Sequence, residues 1–284
     1  MKLHQKTPAS FIFFMAGSLP LPAIIDLRVL GLFSMLSRLG DNILCKLARQ
    51  ILITSDKTQS WFVRVKRICL QYELPHPLSL LDSPLSKESF KALANRKVQV
   101  YWQEKLRVEA SLLQSLSFFK PNFMSLSKIH PLIATCGTNP YEVNKSIIQL
   151  KMLSGRYRSD ALLSHFHTSN LPQCQLSCDS PDAVGDLTHL LVQCSTLASR
   201  RIILFEYWEH LAASNPVCLD LIEKMKVAPP LTLTQFLIDC SVMPEVLSLI
   251  DSHGEHVLPT LFKMTRTFCY SIHRERLKHL NRWR

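Results

Sequence analysis

Cys174, Cys178, His189 and Cys194 lie within CQLSCDSPDAVGDLTHLLVQC, separated by three, ten and four residues. Three thiols and one imidazole are the donors that a closed tetrahedral zinc site takes. The expectation is one structural Zn2+ held by these four, stapling a loop with too few apolar residues to hold itself. Asp179, Asp182 and Asp186 are hard donors that such an ion does not need. His165 and His167 stand near enough to replace a ligand, so spacing alone leaves the set open. The competing reading is three reduced cysteines and a surface histidine.

The second chemistry is cationic. Lys145, Lys151, Arg156 and Arg158 flank Tyr157 just ahead of the metal run, and Arg200 and Arg201 follow it. Lys and Arg neutralise phosphates, and a tyrosine ring offers a face for a base. An ordinary solvated turn is the alternative. Residues 261–284 add seven Lys/Arg against the single acid Glu275. That basic amphipathic stretch suits nucleic acid, a membrane surface, a protein groove, or simple docking with a solvated face.

The charge of the whole chain agrees with an anionic partner. It carries 33 Lys+Arg against 22 Asp+Glu, a net +11 over 284 residues. RNA or DNA is the expected partner. No GxxxxGK[ST], GxSxG or HExxH run occurs, and His253 and His256 lack a third ligand nearby, so no enzyme activity is expected. Nine scattered cysteines in a chain this size point to a reducing compartment, nucleus or cytoplasm, and not to secretion. No apolar run reaches the ~18 residues of a membrane span.

Elements must position these groups, and the periodicities are helical. Only 7 Gly occur in a chain that is 47% hydrophobic. The pattern predicts helices over 23–39, from Asp41, from Ser60 to Tyr72 and over 86–116. Asn139 caps a helix that runs to Leu153, with Pro140 at its first position and Glu142 reaching back as in a capping box. Further helices are expected over 159–166, from Leu187 continuously through Ala213, and over 257–283. In the last, Leu258, Leu261, Phe262, Phe268, Cys269, Ile272, Leu280 and Trp283 share one face. The fold expected is mainly α, an irregular helical assembly with a small CCHC zinc-stapled module. Its segments are an atypical leader (1–20), a helical region (21–120), a linker (121–139), the basic helix pair with the knuckle (140–213) and a helical C-terminal region (214–284).

These residues also resemble a known family. AGSLPLPAIIDLRVLGLFSMLSRLGDNIL, LPHPLSLL, NPYEV, LSGRYR and the CCHC run, in that order, are similar to the carboxyl-terminal part of LINE-type (non-LTR) retrotransposon reverse transcriptase polyproteins. The resemblance covers about residues 16 to 210. It implies a helical region beyond the polymerase, a zinc knuckle with Cys174, Cys178, His189 and Cys194 as ligands, and retention of RNA or target DNA. It does not imply catalysis, because no Tyr/Phe-x-Asp-Asp or endonuclease signature is present. A protein-interaction module with purely structural zinc, or a relic reading frame without selected function, are the alternatives.

Overall fold

The computed structural model describes residues 7–40, 42–54, 60–164, 172–176, 178–180, 182–213 and 216–282. The expected mainly α class is what is found. Among these residues no strand forms, and β pairing is limited to one antiparallel bridge between Gln173 and Val184. The chain divides into two compact units. The smaller is Gly17–Glu109 with Ser125–Lys128; the larger is Met1–Ala16, Ala110–Met124 and Ile129–Arg284.

Helix α1 (Ala9–Ala16) belongs to the larger unit. Phe11 and Phe14 are fully buried and set their rings against Phe119, at 5.1 and 5.9 Å between centroids. The Met15 carbonyl accepts from His130 N–H. The stretch expected as a leader therefore supplies core side chains, because its apolar run has a partner about 100 residues on.

The smaller unit holds α2 (Leu21–Ser37), α3 (Ile43–Thr54), α4 (Trp61–Gln71), α5 (Pro77–Asp82) and α6 (Lys87–Ser111, whose last two residues fall in the larger unit). Ser60 caps α4 by accepting from Phe62 N–H, and Val65, Ile68 and Tyr72 are buried. Tyr72 is the polar pin of this core: its hydroxyl donates to Asp26 at 2.8 Å and accepts from Trp102 Nε1–H at 2.9 Å. A buried hydroxyl paired at both lone pair and proton avoids the cost of an orphaned polar group.

The larger unit continues with α7 (Pro131–Ala134), α8 (Pro140–Leu153), α9 (Asp160–Ser164), α10 (Ala198–Ala212), α11 (Pro216–Lys226), α12 (Pro230–Ile238), α13 (Pro244–His253) and α14 (Leu258–Arg282). Helix α14 packs against α8, α10 and α12. Leu258, Leu261, Phe262, Phe268, Cys269 and Ile272 are buried as the periodicity requires; Leu280 is half-buried and Trp283 lies outside the described residues. Trp208 closes the aromatic centre, 5.3 Å from Phe268 and 5.8 Å from Phe236, with its indole N–H on the Met264 carbonyl.

Residues 121–139, expected as a linker, contain a short helix of their own. Pro131 opens α7, and His130 caps it by accepting from Leu132 N–H at Nδ1. That bond leaves the proton on Nε2, which faces Asp239 Oδ2 at 3.3 Å with both side chains fully buried. Burial opposes the Asp239 carboxylate, but His130 and the N–H and hydroxyl of Ser241 outweigh it and hold its pKa below the ordinary range. The prolines thus punctuate a packed segment. Asn139 caps α8 as predicted, through Tyr141 N–H at 2.8 Å. Glu142 does not complete a capping box; its carboxylate pairs with Lys145.

Candidate metal centre

The donor atoms of Cys174, Cys178, His189 and Cys194 all lie within 4.8 Å of one another. Cys174 Sγ and Cys194 Sγ are 3.9 Å apart, and Cys178 Sγ is 3.6 Å from His189 Nε2. A tetrahedron with ~2.3 Å metal–sulfur bonds has edges of ~3.8 Å, so a contraction of the cage converts it into a coordination shell. The four residues fit a metal ion by donor type and by spacing. His165 and His167, the possible substitutes, lie outside the described residues.

The local sequence explains how four donors meet. Cys174 N–H donates to the Ala183 carbonyl and Gly185 N–H to that of Pro172, folding 172–185 back on itself. Asp179 N–H reaches Ser195 Oγ, and Thr196 Oγ1 donates to the Leu176 carbonyl, tying the first cysteine pair to the turn after Cys194. Leu176, Leu190, Leu191 and Leu197 bury beneath. Asp186 Oδ1 caps the following turn by accepting from His189 N–H at 2.8 Å.

The continuous helix expected from Leu187 to Ala213 is interrupted, and the interruption serves the site. His189–Gln193 forms a π-turn, with Cys194 N–H on the His189 carbonyl at 2.7 Å, followed by a short 3₁₀ turn and then α10. Residues five apart on a regular α-helix are offset by about 140°. Widening the turn swings Cys194 back beside His189, a use typical of π-bulges.

The site's electrostatics are those of an ion-ready cage. The Cys174 thiol donates to Cys194, which lowers the Cys194 pKa, aided by His189, while the Cys174 pKa is driven up by that same bond and by burial. Thiol protons remaining on these sulfurs must leave when a cation binds.

A buried ion pair fastens the loop to the helices. Asp160, 1% exposed at its side chain, accepts from Arg276 of α14 at 2.7 Å on Oδ1. Its Oδ2 accepts from Gln175 N–H, next to Cys174. Arg276 also donates to the Arg158 carbonyl. Gly185 is needed here, since a Cβ there would come within 2.8 Å of the Asp160 side chain. Sequence reasoning missed Asp160 and Arg276; a buried acid and a buried base 116 residues apart leave no local pattern.

The cationic set divides. Arg158 is exposed, and Lys151, Arg156 and Arg200 are half-buried. Tyr157 is not a stacking face: it is 5% exposed, its ring lies edge-on to His273, and its hydroxyl bonds His273 Nδ1 at 3.1 Å. Lys145 is not a phosphate contact either. It is buried, 2.7 Å from Glu142 and over the Tyr141 ring. Arg201 donates to the Cys194 carbonyl at 2.7 Å, and burial lowers its pKa, so it braces the metal loop. Within α14, Arg266 and Arg276 are internal, leaving fewer surface charges than the composition implies. No protein-family model, curated protein or solved structure matches this chain.

Proposed function

We propose that the chain is a non-catalytic nucleic-acid-binding module, derived from the carboxyl-terminal part of a LINE-type reverse transcriptase, in which one zinc ion fixes a basic surface for RNA or target DNA. The observation that carries this reading is the convergence of three basic regions that are distant in sequence. Lys151 acts on His273 of α14, Arg200 acts on Glu275 of α14, and Arg276 holds the backbone of Arg158. The metal loop is tied to the same place through Asp160 and Gln175. Each phosphate neutralised releases counterions, so cations close enough to engage one nucleic acid together add their contributions.

In this reading the zinc touches no phosphate. It holds Cys174 and Cys194 together, and thereby the Arg200 turn and the 156–158 turn at a fixed separation. Zinc is favoured over other divalent ions by three thiolates and one imidazole in a closed four-donor cage.

Fluorescence anisotropy with single-stranded RNA and duplex DNA of about 20 nucleotides tests it, using zinc-loaded full chain. Lys151→Ala, Arg156→Ala and Arg158→Ala together should weaken binding about tenfold or more and flatten its salt dependence. Tyr157→Phe should leave it unchanged. Equal affinity in the triple variant, with unchanged fold and zinc content, would overturn the assignment and leave the ion a purely structural staple.

A further inference from the structure

A trough in the smaller unit stands apart from the metal centre in its composition. It has a volume of about 490 Å³ and runs between α2 and the first half of α6. Ile24, Leu27, Gly31 and Met35 of α2 face Phe90 and Ala94 of α6. Those α2 positions recur at helical spacing from Ile24 to Met35, a length of about 17 Å. Ile24 is 40% and Met35 55% exposed, well beyond what a packed helix face leaves to water.

The rim has one sign. Arg28 of α2, Arg38 just past its end, and Lys87 and Lys91 of α6 line it together with Asn95 and Ser34, and no acidic side chain does. Arg38 donates to Ser34 Oγ at 2.7 Å. Arg28, Lys87 and Lys91 make no ion pair among the described residues. The acid on α2, Asp26, is engaged by Tyr72 and Arg64. Four cations around an apolar floor repel one another unless an anionic group enters.

Gly31 is the second observation. It sits inside α2, where glycine costs ~1 kcal/mol relative to alanine. Its φ is ordinary, and a Cβ added there would meet nothing within 4 Å. Neither backbone conformation nor close packing within the chain calls for glycine. What it does is leave the floor of the trough open at its middle.

We infer that this trough is a docking groove for an acidic amphipathic helix of a protein partner. Apolar side chains at i, i+3 and i+7 would lie along the floor, passing over Gly31. Flanking Asp and Glu would meet Arg28 and Arg38 on one side and Lys87 and Lys91 on the other. An open trough of this length suits a helix laid lengthwise. Its floor is aliphatic with a single buried phenylalanine, where a single-strand nucleic-acid groove presents open aromatic faces for stacking.

The test uses the full chain against a displayed library of helical peptides of about 16 residues, with leucine fixed at i, i+3, i+4 and i+7 and the outward positions randomised among Asp, Glu, Lys, Arg, Gln and Ser. The expected result is recovery of peptides rich in Asp and Glu. Their labelled forms should bind at least about tenfold more weakly to Gly31→Leu and to the Arg28→Glu plus Lys91→Glu variant. Gly31→Leu raises helix propensity, so retained helix content and melting show that only the groove is filled. Recovery of neutral or basic peptides, no recovery, or equal binding by Gly31→Leu would overturn the proposal. So would displacement of the recovered peptide by a short oligonucleotide or by dodecanoate that is itself lost in Gly31→Leu, because the groove would then belong to nucleic acid or to a fatty anion.

Discussion

Replacing Asp160 with alanine removes one carboxylate and undoes two connections. Arg276 loses its charge partner with both side chains nearly inaccessible, at 5% and 1% exposure. Gln175 N–H loses its acceptor beside a metal ligand. Removing one member of a buried pair typically costs 3–5 kcal/mol, because the remaining charge is stranded away from water. The orphaned amide adds ~1 kcal/mol or more, partly overlapping with the first loss. We therefore expect Asp160→Ala to lower unfolding free energy by about 3–5 kcal/mol in urea at saturating zinc. Asp160→Asn keeps the shape but aims an N–H at Gln175 or Arg276, so it should fall in between. Asp160→Leu with Arg276→Met removes both charges together and should recover most of the loss. Because the Gln175 contact orients the Cys174 end of the cage, zinc competition with a chromophoric chelator should show about tenfold weaker binding in Asp160→Ala. A variant within ~1 kcal/mol of wild type, holding zinc as tightly, would refute the idea that this pair fastens the loop to the helices.

Purified protein should hold one zinc per chain, lost in Cys174→Ser plus Cys178→Ser. At free zinc about 1,000 times Kd the ion contributes about 4 kcal/mol of stability, which a chelator melt would read directly. Binding should release protons and weaken in acid, since the cation must displace the proton that Cys174 keeps. His273 is pushed down to about 4 by burial first, then by Arg276 and Lys151. The unfolded chain therefore takes up that proton at higher pH than the folded one. Stability from this group is complete above the ordinary histidine value of about 6.5 and declines as pH falls towards 4, a slope that His273→Asn should flatten in thermal melts. Gly155→Ala should destabilise by about 2–4 kcal/mol, because φ is +64° there and the new Cβ would sit 1.9 Å from the Ser115 carbonyl oxygen.

The four donors were legible because the site is local: 21 residues contain every ligand and the turns that bend them together. Donor chemistry and spacing survive without knowledge of the fold. The π-turn was not legible, since nothing in His-Leu-Leu-Val-Gln disfavours an ordinary α-turn; the stitches from Ser195, Thr196 and Asp186 impose it. Caps such as Ser60 and Asn139 were readable for the same local reason. Two histidine caps were not. His76 and His130 each precede a proline and each accept at Nδ1 from the second residue beyond, so a His-Pro pair was a usable signal. Tyr157 failed as a stacking residue because what covers it, His273 and Arg276, comes from α14 more than 110 residues later. Exposure is a property of the whole chain, and composition cannot assign it.

The two fastenings of the metal loop differ in how much chain each must close. The cage joins Cys174 to Cys194 across 20 residues, whereas Asp160 to Arg276 spans 116. Loop-closure entropy makes the longer connection dearer by about 1.5 kcal/mol before either contact forms. The cage is therefore the cheaper of the two connections to close. In the folded chain Gln175 and Gly185 fix the Asp160 carboxylate that Arg276 meets. A metal ion bound by the four donors would favour closing the shorter loop first, and contacts of α14 made after it would then act mainly on the unfolding rate.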